Sequence, residues 1–255
     1  MDILLQEDER LDEVNEHIRL IQKKSGLPFG TDAYLLSAFL RPAPSSTAVE
    51  FGAGSGIVSL LAMSRQKLAR IYAVEIQEDY ADMCRRNVIL NRMDSGIIPL
   101  CRDIRSLSAE DFGGEVDVVI SNPPYMTVSG GRRNLDDGKF AARHEVNGTI
   151  RDFCRAANRL LKYGGTFLCS YWPQRLCVLF DALRSETLEP KRLVFVFPDT
   201  KSKPSLVLLE AKKGARPSLI IEKPLYLYSS EKTSPRSLTA SARRVYDSCD
   251  LYSKS

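Results

Sequence analysis

A short loop in the middle of the chain has the residue types needed to hold an amino group. It reads Ser121-Asn122-Pro123-Pro124-Tyr125 and directly follows an apolar run over residues 116–120. Each proline fixes its own backbone angle and restricts the residue before it, so the Asn122 amide and the Pro123 carbonyl can be held at set positions beside the Tyr125 ring. Such a loop can grip a planar group that carries an NH₂. The same residues could also form an ordinary turn at the end of a strand.

A glycine-rich loop follows an earlier apolar stretch. It reads Glu50-Phe51-Gly52-Ala53-Gly54-Ser55-Gly56 and leads at once into a helical pattern. Glycines let the backbone turn tightly and approach a ligand where a Cβ would clash. The spacing is G-x-G-x-G rather than the G-x-G-x-x-G of dinucleotide sites, so a nucleoside with an amino-acid tail fits better than a pyrophosphate. Glu50 and the three glycines are therefore candidate ligand contacts.

Two acidic residues stand at the ends of the next two apolar stretches. Glu75, with Ile76 after it, lies about 20 residues beyond the glycines, where an acidic side chain can accept both hydroxyls of a ribose. Asp103, with Ile104 after it, could accept a hydrogen bond from an adenine amino group. Each signal alone is usually structural. Together with the loop at Asn122, they predict S-adenosyl-L-methionine as the cofactor and S-adenosyl-L-homocysteine as its product.

These loops need a scaffold that brings the ends of successive strands together. Apolar extended runs alternate with helical patterns along the chain, which predicts a doubly wound, mainly parallel sheet with helices on both faces. Ligands bind such sheets beyond the carboxyl ends of their strands. The fold class is therefore α/β and Rossmann-like. We predict seven strands, at residues 48–51, 71–76, 97–101, 116–121, 166–171, 193–197 and 206–210, with helices near 56–67, 78–91, 148–162 and 174–185.

The combined motifs resemble those of class I S-adenosylmethionine-dependent amino-methyltransferases over roughly residues 45 to 210. Three further segments are similar to the bacterial tRNA1(Val) (adenine(37)-N6)-methyltransferase family, which modifies the adenosine beside the anticodon of a valine tRNA. They are Pro28-Phe29-Gly30-Thr31-Asp32-Ala33, Gly131-Arg132 and Ala142-Arg143-His144-Glu145. This similarity extends to about Tyr228. It implies that Gly30, Thr31 and Asp32 pack over the methionine end of the cofactor, and that Asn122, Pro123, Pro124 and Tyr125 form the catalytic loop.

The segments outside the core are less informative. We predict an N-terminal extension over residues 1–44, consisting of a short hairpin and a helix that packs over the cofactor site, with Thr31 or Asp32 capping the helix. The methyltransferase core then covers residues 45–214. Residues 215–255 are predicted to form a hairpin, with one arm at 219–222 and the other at 225–228, and a basic Ser-rich tail. A short helix near 237–247 and plain disorder are both compatible with the composition of the tail.

The distribution of charge favours an RNA partner. The net charge is +4, and residues 201–255 alone hold eleven Lys and Arg against five Asp and Glu. A basic flank suits a polyanion such as tRNA, although it could also be a solvated surface. The segment over residues 126–145 reads either as a loop that contacts RNA phosphates or as a solvated connection. Its candidate RNA contacts are Arg132, Arg133, Lys139 and Arg143.

Composition limits the other possibilities. No apolar run reaches the length of a membrane span and the N-terminus lacks a basic signal-peptide start, so we expect a cytoplasmic protein with no membrane partner. Six scattered cysteines without a C-x-x-C pair and only two histidines predict reduced thiols and no metal site. We also expect a monomer.

Three other functions remain open at the level of the sequence. A glutamine side-chain amide offers the same NH₂ geometry as adenine, so protein glutamine N5-methylation is possible, but such enzymes usually carry a larger N-terminal domain than the 45 or so residues here. Adenine-N6 methylation of ribosomal RNA or DNA is the second alternative. The third is an RNA-binding module that has lost catalysis, which would have little reason to keep every cofactor position.

Overall fold

The computed structural model describes residues 5–25, 30–123, 148–229 and 236–252. The helices are α1 (Thr31–Phe39), α2 (Ile57–Ser64), α3 (Glu78–Leu90), α4 (Ile150–Leu160), α5 (Leu176–Ser185) and α6 (Ala240–Ser248). The strands are β1 (Glu9–Glu13), β2 (Arg19–Lys23), β3 (Ala43–Phe51), β4 (Leu68–Glu75), β5 (Ile97–Cys101), β6 (Val116–Ser121), β7 (Leu161–Tyr171), β8 (Leu188–Phe197), β9 (Leu206–Lys213), β10 (Ile220–Ile221) and β11 (Leu225–Tyr226).

The central sheet is doubly wound, and the predicted fold class is confirmed. Its order is β10-β8-β9-β7-β6-β3-β4-β5, and β11 also pairs with β8. Every pairing is parallel except those of β9, which runs antiparallel to both β7 and β8. The seven long strands β3 to β9 are the seven predicted from the sequence, and β10 and β11 add two short ones. The strand order reverses direction at β3, so the carboxyl ends of β3, β4, β5 and β6 lie side by side.

The helices cover both faces of this sheet. One apolar cluster packs α1, α2, α3 and α6 against one face, and a second packs α4 and α5 against the other. The central strands are buried on both sides, as expected for a parallel sheet. Among the described residues, no helix has both the length and the apolar composition needed to cross a bilayer.

The predicted C-terminal hairpin is wrong. β10 and β11 do not pair with each other; both run parallel to β8 and extend its edge one after the other. Between them, Glu222 N donates to Leu193 O at 2.9 Å. Pro224 interrupts this ladder because it lacks an N–H, but it does not reverse the chain. The prediction placed a hairpin turn between the arms at 219–222 and 225–228, whereas the chain continues there along the edge of β8.

The N-terminal hairpin forms as predicted, and β1 pairs antiparallel with β2. Its outer edge lies against α3, where two side-chain amides take the place of a neighbouring strand. The Asn91 amide bonds the N–H and C=O of Arg19 at 3.0 and 2.8 Å, and the Asn87 amide bonds those of Ile21 at 2.7 and 3.0 Å. The buried Glu9 carboxylate also accepts two hydrogen bonds from Arg86 of α3, at 2.7 and 2.6 Å.

The C-terminal segment is helical over α6, in agreement with the first of the two predictions for the tail. Ala242 and Val245 are buried, and the Tyr246 ring lies 5.0 Å from the Tyr34 ring of α1, measured between centroids. Beyond the helix, Leu251 N donates to Ala38 O at 3.2 Å. The segment that follows α6 therefore packs against α1.

Candidate active site

The glycine-rich loop connects β3 to α2 through three left-handed residues. Gly52, Gly54 and Gly56 have φ values of 67°, 55° and 84°, which residues with a Cβ rarely adopt. Gly56 also packs closely, because a Cβ there would lie 2.6 Å from Cys84 Sγ. The loop therefore lies with its backbone beside the end of β4, where Ala53 N donates to Val74 O at 3.0 Å.

Glu75 at the end of β4 fixes the glycine loop. One carboxylate oxygen accepts a hydrogen bond from Gly54 N at 2.9 Å, and the other accepts from Gln77 N at 3.0 Å. Each carboxylate oxygen has a second lone pair, so these contacts leave acceptor capacity for a ligand hydroxyl. Glu75 thus supports the loop and also borders the cavity described below.

Asp103 follows β5 and is paired with an arginine. Its carboxylate accepts hydrogen bonds from the Arg105 backbone N–H at 2.8 Å and from the Arg105 guanidinium at 2.6 to 3.0 Å. The side-chain hydrogen bond from Arg105 holds the pKa of Asp103 below its ordinary value. The carboxylate is therefore an ionised acceptor, and a ligand amine would share it with Arg105.

Asn122 follows β6 and its amide is held at both ends. Nδ2 donates to Asp32 Oδ2 at 2.9 Å, and Oδ1 accepts a hydrogen bond from Ser170 Oγ. Ser170 lies near the end of β7, whose Cys169 is in register with Ser121 of β6. Pro123 is buried. The predicted catalytic residues Pro124 and Tyr125 lie outside the described residues.

Two adjoining cavities meet at Asn122 and Gly52. The first, of about 180 Å³, lies over the ends of β4 and β5, and the predicted residues Glu75, Ile76, Asp103 and Ile104 line it. The second, of about 510 Å³, lies between the glycine loop, α1 and the N-terminal hairpin. Its predicted lining residues are Gly30, Asp32, Glu50 and Gly54. Of the predicted cofactor contacts, Thr31 and Gly56 line neither cavity.

Glu50 is a buried acid beneath the second cavity. Its carboxylate accepts hydrogen bonds from Ser59 N at 3.0 Å and from Ser59 Oγ in the first turn of α2. Burial raises the pKa of Glu50 from its ordinary value of 4.5 to about 7, against the opposing effect of these hydrogen bonds. Glu50 therefore changes charge close to neutral pH.

The start of α1 differs from the predicted cap. Gly30, not Thr31 or Asp32, is the N-cap residue of α1, so the helix start has no hydrogen bond from an N-cap side chain. A Cβ at Gly30 would collide with the Asp32 carboxylate. Thr31 faces the C-terminal helix instead of a cavity, and its Oγ1 accepts a hydrogen bond from Tyr246 OH at 3.0 Å.

Several lining residues were missed at the sequence level. Phe153 of α4 and Gln77 line the first cavity, and Lys23 of β2 and Tyr80 line the second. Gln77 directly follows the predicted contacts Glu75 and Ile76, whereas Lys23, Tyr80 and Phe153 lie outside every motif. Ser170 could have been found, because the rule that selected the ends of β3 to β6 applies equally to the end of β7.

The predicted RNA contacts Arg132, Arg133, Lys139 and Arg143 lie outside the described residues. Within the parts of the chain that the structure describes, no group of three or more His, Cys, Asp or Glu side chains could hold a metal ion. The candidate site therefore consists of polar and ionised groups around two cavities with partly apolar walls.

Comparison with known families identifies the fold and its chemistry. The family described as "Methyltransferase small domain" matches residues 24–170. The chain belongs to this methyltransferase family. The match begins just after β2 and runs through α1 and the sheet as far as β7. It therefore includes the glycine loop, Glu75, Asp103, Asn122 and Ser170, but not Lys23.

Curated relatives confirm the resemblance predicted from the motifs. The tRNA1(Val) (adenine(37)-N6)-methyltransferase of Bacteroides fragilis is 28% identical over 186 residues, which are 73% of this chain and 77% of the relative. The enzyme of the same name from Shewanella halifaxensis is 27% identical over 233 residues, 84% of this chain and 89% of the relative.

Solved structures confirm the class I methyltransferase fold. A predicted O-methyltransferase from Agrobacterium tumefaciens superposes with a TM-score of 0.68 at 19% identity, over 88% of this chain and 99% of its own. Trm5 from Methanocaldococcus jannaschii, solved in complex with adenosine, superposes with a TM-score of 0.56 at 16% identity, over 82% and 56% of the two chains. At these identities the likeness concerns the fold alone.

Proposed function

We propose that this protein transfers a methyl group from S-adenosyl-L-methionine to the exocyclic N6 amine of an adenine in RNA. The favoured acceptor is adenosine 37 in the anticodon loop of a valine tRNA. The observation that carries the proposal is the Asn122 amide, held by Asp32 and Ser170 where the two cavities meet. The names of the curated relatives support the choice of tRNA and of position 37.

The two cavities have the chemistry that the cofactor requires. The first combines the carboxylates of Glu75 and Asp103 with the apolar walls of Ile76 and Phe153, which suits a ribose diol and an adenine ring. The second carries the acidic Asp32 and Glu50 and the basic Lys23, which suits the ammonium and carboxylate of an amino acid. S-adenosyl-L-methionine supplies an electrophilic methyl group on sulfur when bound.

The task of the protein is then to activate a weak nucleophile. The lone pair of an adenine amine is delocalised into the ring. If Asn122 Oδ1 and the Pro123 carbonyl each accept one N–H, the nitrogen can pyramidalise and direct its lone pair away from the ring plane. These hydrogen bonds strengthen as the nitrogen becomes cationic, so they stabilise the transition state more than the ground state.

Positioning supplies the remaining rate enhancement, and no general base is needed. The methylated amine is cationic and strongly acidic, so it can lose its proton to water.

Because N6 of a stacked adenosine is hard to reach, the base must leave its loop to enter the site. We assign Tyr125 to stacking on the flipped base and the arginines of residues 126–145 to contacts with RNA phosphates. Acting on tRNA, the enzyme would work in the cytoplasm.

A labelling experiment tests the reaction and its acceptor. The protein is incubated with methyl-labelled S-adenosyl-L-methionine and separated tRNAs, and the digested nucleosides are analysed. We expect labelled N6-methyladenosine in valine tRNA and none in tRNAs that lack adenosine at position 37. Label in protein glutamine, in ribosomal RNA alone or in DNA would contradict the proposal.

Replacing Asn122 tests the centre of the proposed mechanism. Asn122→Ala should lower kcat for tRNA methylation by at least about 100-fold, because one of the two acceptors for the amine is lost. Binding of S-adenosyl-L-homocysteine, measured by calorimetry, should change little. Asn158→Ala on α4 is the matched control and should keep full turnover. If Asn122→Ala still turns over normally, another group holds the amine.

A further inference from the structure

The structure points to a second task for Asp32, one that deepens the proposed function and rests on it. We propose that Asp32 is a positioning residue that sets which end of the Asn122 amide faces the substrate. The cofactor motif explains why Asp32 lines the second cavity, but it does not explain why its carboxylate bonds the amide of Asn122, 90 residues along the chain.

The Asp32 carboxylate is anchored at both oxygens. Oδ1 accepts from Ala33 N at 3.0 Å in the first turn of α1, and Oδ2 accepts from Asn122 Nδ2 at 2.9 Å. The absence of a Cβ at Gly30 leaves the room that this carboxylate occupies. The Gly30-Thr31-Asp32 segment therefore holds the Asp32 carboxylate in a fixed position as a hydrogen-bond acceptor for Asn122.

The Asp32 carboxylate fixes the orientation of the amide. The two ends of an asparagine amide have nearly the same shape, so hydrogen bonding decides which end faces which neighbour. A serine hydroxyl can donate or accept, so the chemistry of the Ser170 hydroxyl does not by itself dictate one orientation. An ionised carboxylate only accepts, so the NH₂ end must face Asp32. Oδ1 is then directed away from Asp32, where it accepts from Ser170 Oγ and, in the proposed reaction, from the substrate amine.

The charge of Asp32 adds to this geometric effect. In the proposed reaction, positive charge develops on the amine that Asn122 Oδ1 accepts from. A carboxylate bonded to the opposite end of the same amide polarises it and makes Oδ1 a stronger acceptor. The negative charge also favours the cationic transition state. A neutral Asn at position 32 would keep the shape of the side chain and lose both effects.

Exchanging the two side chains tests the pairing. Asp32→Asn should lower kcat about 10- to 100-fold, by analogy with side chains that orient a metal ligand. Asn122→Asp should also lose activity, because two carboxylates then face each other. The double variant Asp32→Asn, Asn122→Asp restores a donor facing an acceptor and still offers an oxygen to the amine. It should turn over faster than Asn122→Asp.

Two controls separate this role from simpler ones. Ser170→Ala should cost less in kcat than Asp32→Asn, because Ser170 does not select an orientation. Because Asp32 also lines the second cavity, turnover of Asp32→Asn is measured at saturating S-adenosyl-L-methionine, where the loss in kcat should persist. The proposal is overturned if Asp32→Asn keeps its kcat, if its loss lies entirely in cofactor affinity, or if the double variant is no better than Asn122→Asp.

NMR spectroscopy tests the orientation of the Asn122 amide without relying on the methylation reaction. The side-chain NH₂ signal of Asn122 can be identified in ¹H–¹⁵N spectra by its loss in Asn122→Asp. In the wild type its two protons should be well separated, with the proton bonded to the carboxylate downfield, and Asp32→Asn should reduce that separation. If the wild type methylates no RNA, the proposed function fails, whereas an unchanged NH₂ signal in Asp32→Asn contradicts the orientation role alone.

Discussion

At the scale of single residues, Glu50 shows how burial sets a charge state in the site. A carboxylate at 2% exposure loses its hydration, and the two hydrogen bonds from Ser59 do not fully replace it. Its pKa of about 7 means that the folded protein retains a proton between pH 4.5 and 7 that the unfolded chain has released. Stability due to Glu50 therefore falls as the pH rises through this range.

Glu50→Gln should remove this dependence. At pH 8.5 the ionised Glu50 destabilises the folded state by about 3 kcal/mol, so the variant should be more stable than wild type by up to that amount. Near pH 4.5 the advantage should vanish. Urea unfolding at both pH values measures the difference, with the exposed Glu16→Gln as control. An advantage of equal size at both pH values would mean that the pKa of Glu50 is not raised.

Elements were predicted well where the pattern was local. Buried strands read as apolar runs, and the ends of β3 to β6 could be placed together because parallel strands end at the same sheet edge. The contacts that complete the site depend on the folded chain. Asp32 reaches Asn122 from a different element, and β10 and β11 find the edge of β8 instead of each other. No local signal marks such pairings.

The docking of the N-terminal hairpin on α3 is a further contact that the sequence did not reveal. Asn87 and Asn91 occupy polar positions one turn apart, typical of a solvent-facing stripe. In the structure their side-chain amides hydrogen-bond the backbone groups along the edge of β2. Asn87 Nδ2 also donates to Ser55 O at 3.0 Å. Asn87 thus joins the hairpin to the glycine loop.

Asn87→Leu should destabilise the protein by about 3 kcal/mol. The substitution leaves the N–H and C=O of Ile21 without partners at a fully buried position, and such groups cost about 1–3 kcal/mol each when they lose a hydrogen bond. Asn91→Leu is the matched control, because water can reach that half-buried site, and it should cost about 1 kcal/mol. Urea unfolding compares the two. If both variants lose the same free energy of unfolding, the Asn87 contacts contribute no more to stability than those of Asn91.

At the scale of the whole molecule, both ends of α1 are fixed by distant parts of the chain. The buried Lys67 Nζ donates to the carbonyls of Ser37 and Leu40 at 2.8 and 2.7 Å, which closes the carboxyl end of the helix. At its start, Tyr246 of α6 bonds Thr31. Since Asp32 is the next residue, the C-terminal helix supports the segment that holds Asn122.

The tail is also tied to the sheet. Arg192 forms a buried ion pair with Glu210 across β8 and β9, and its guanidinium lies 4.4 Å from the Phe39 ring centroid and 4.9 Å from that of Tyr252. Tyr252 therefore connects the segment after α6 to α1 and to the central sheet at one point. Removing this segment would expose one side of α1 over its whole length.

A chain that ends at Thr239 should therefore loosen α1 in particular. It loses the buried Ala242 and Val245 together with the contacts of Tyr246 and Tyr252, so stability should fall by more than about 2 kcal/mol, the cost typical of losing one large buried apolar side chain. In hydrogen exchange, the amides of α1 should lose more protection than those of α5, which packs on the other face of the sheet. Deletion of residues 253–255 alone is the control and should leave both helices protected. If α1 and α5 lose protection equally, the C-terminal helix contributes only to global stability, and its link to Asp32 through Thr31 has no separate effect.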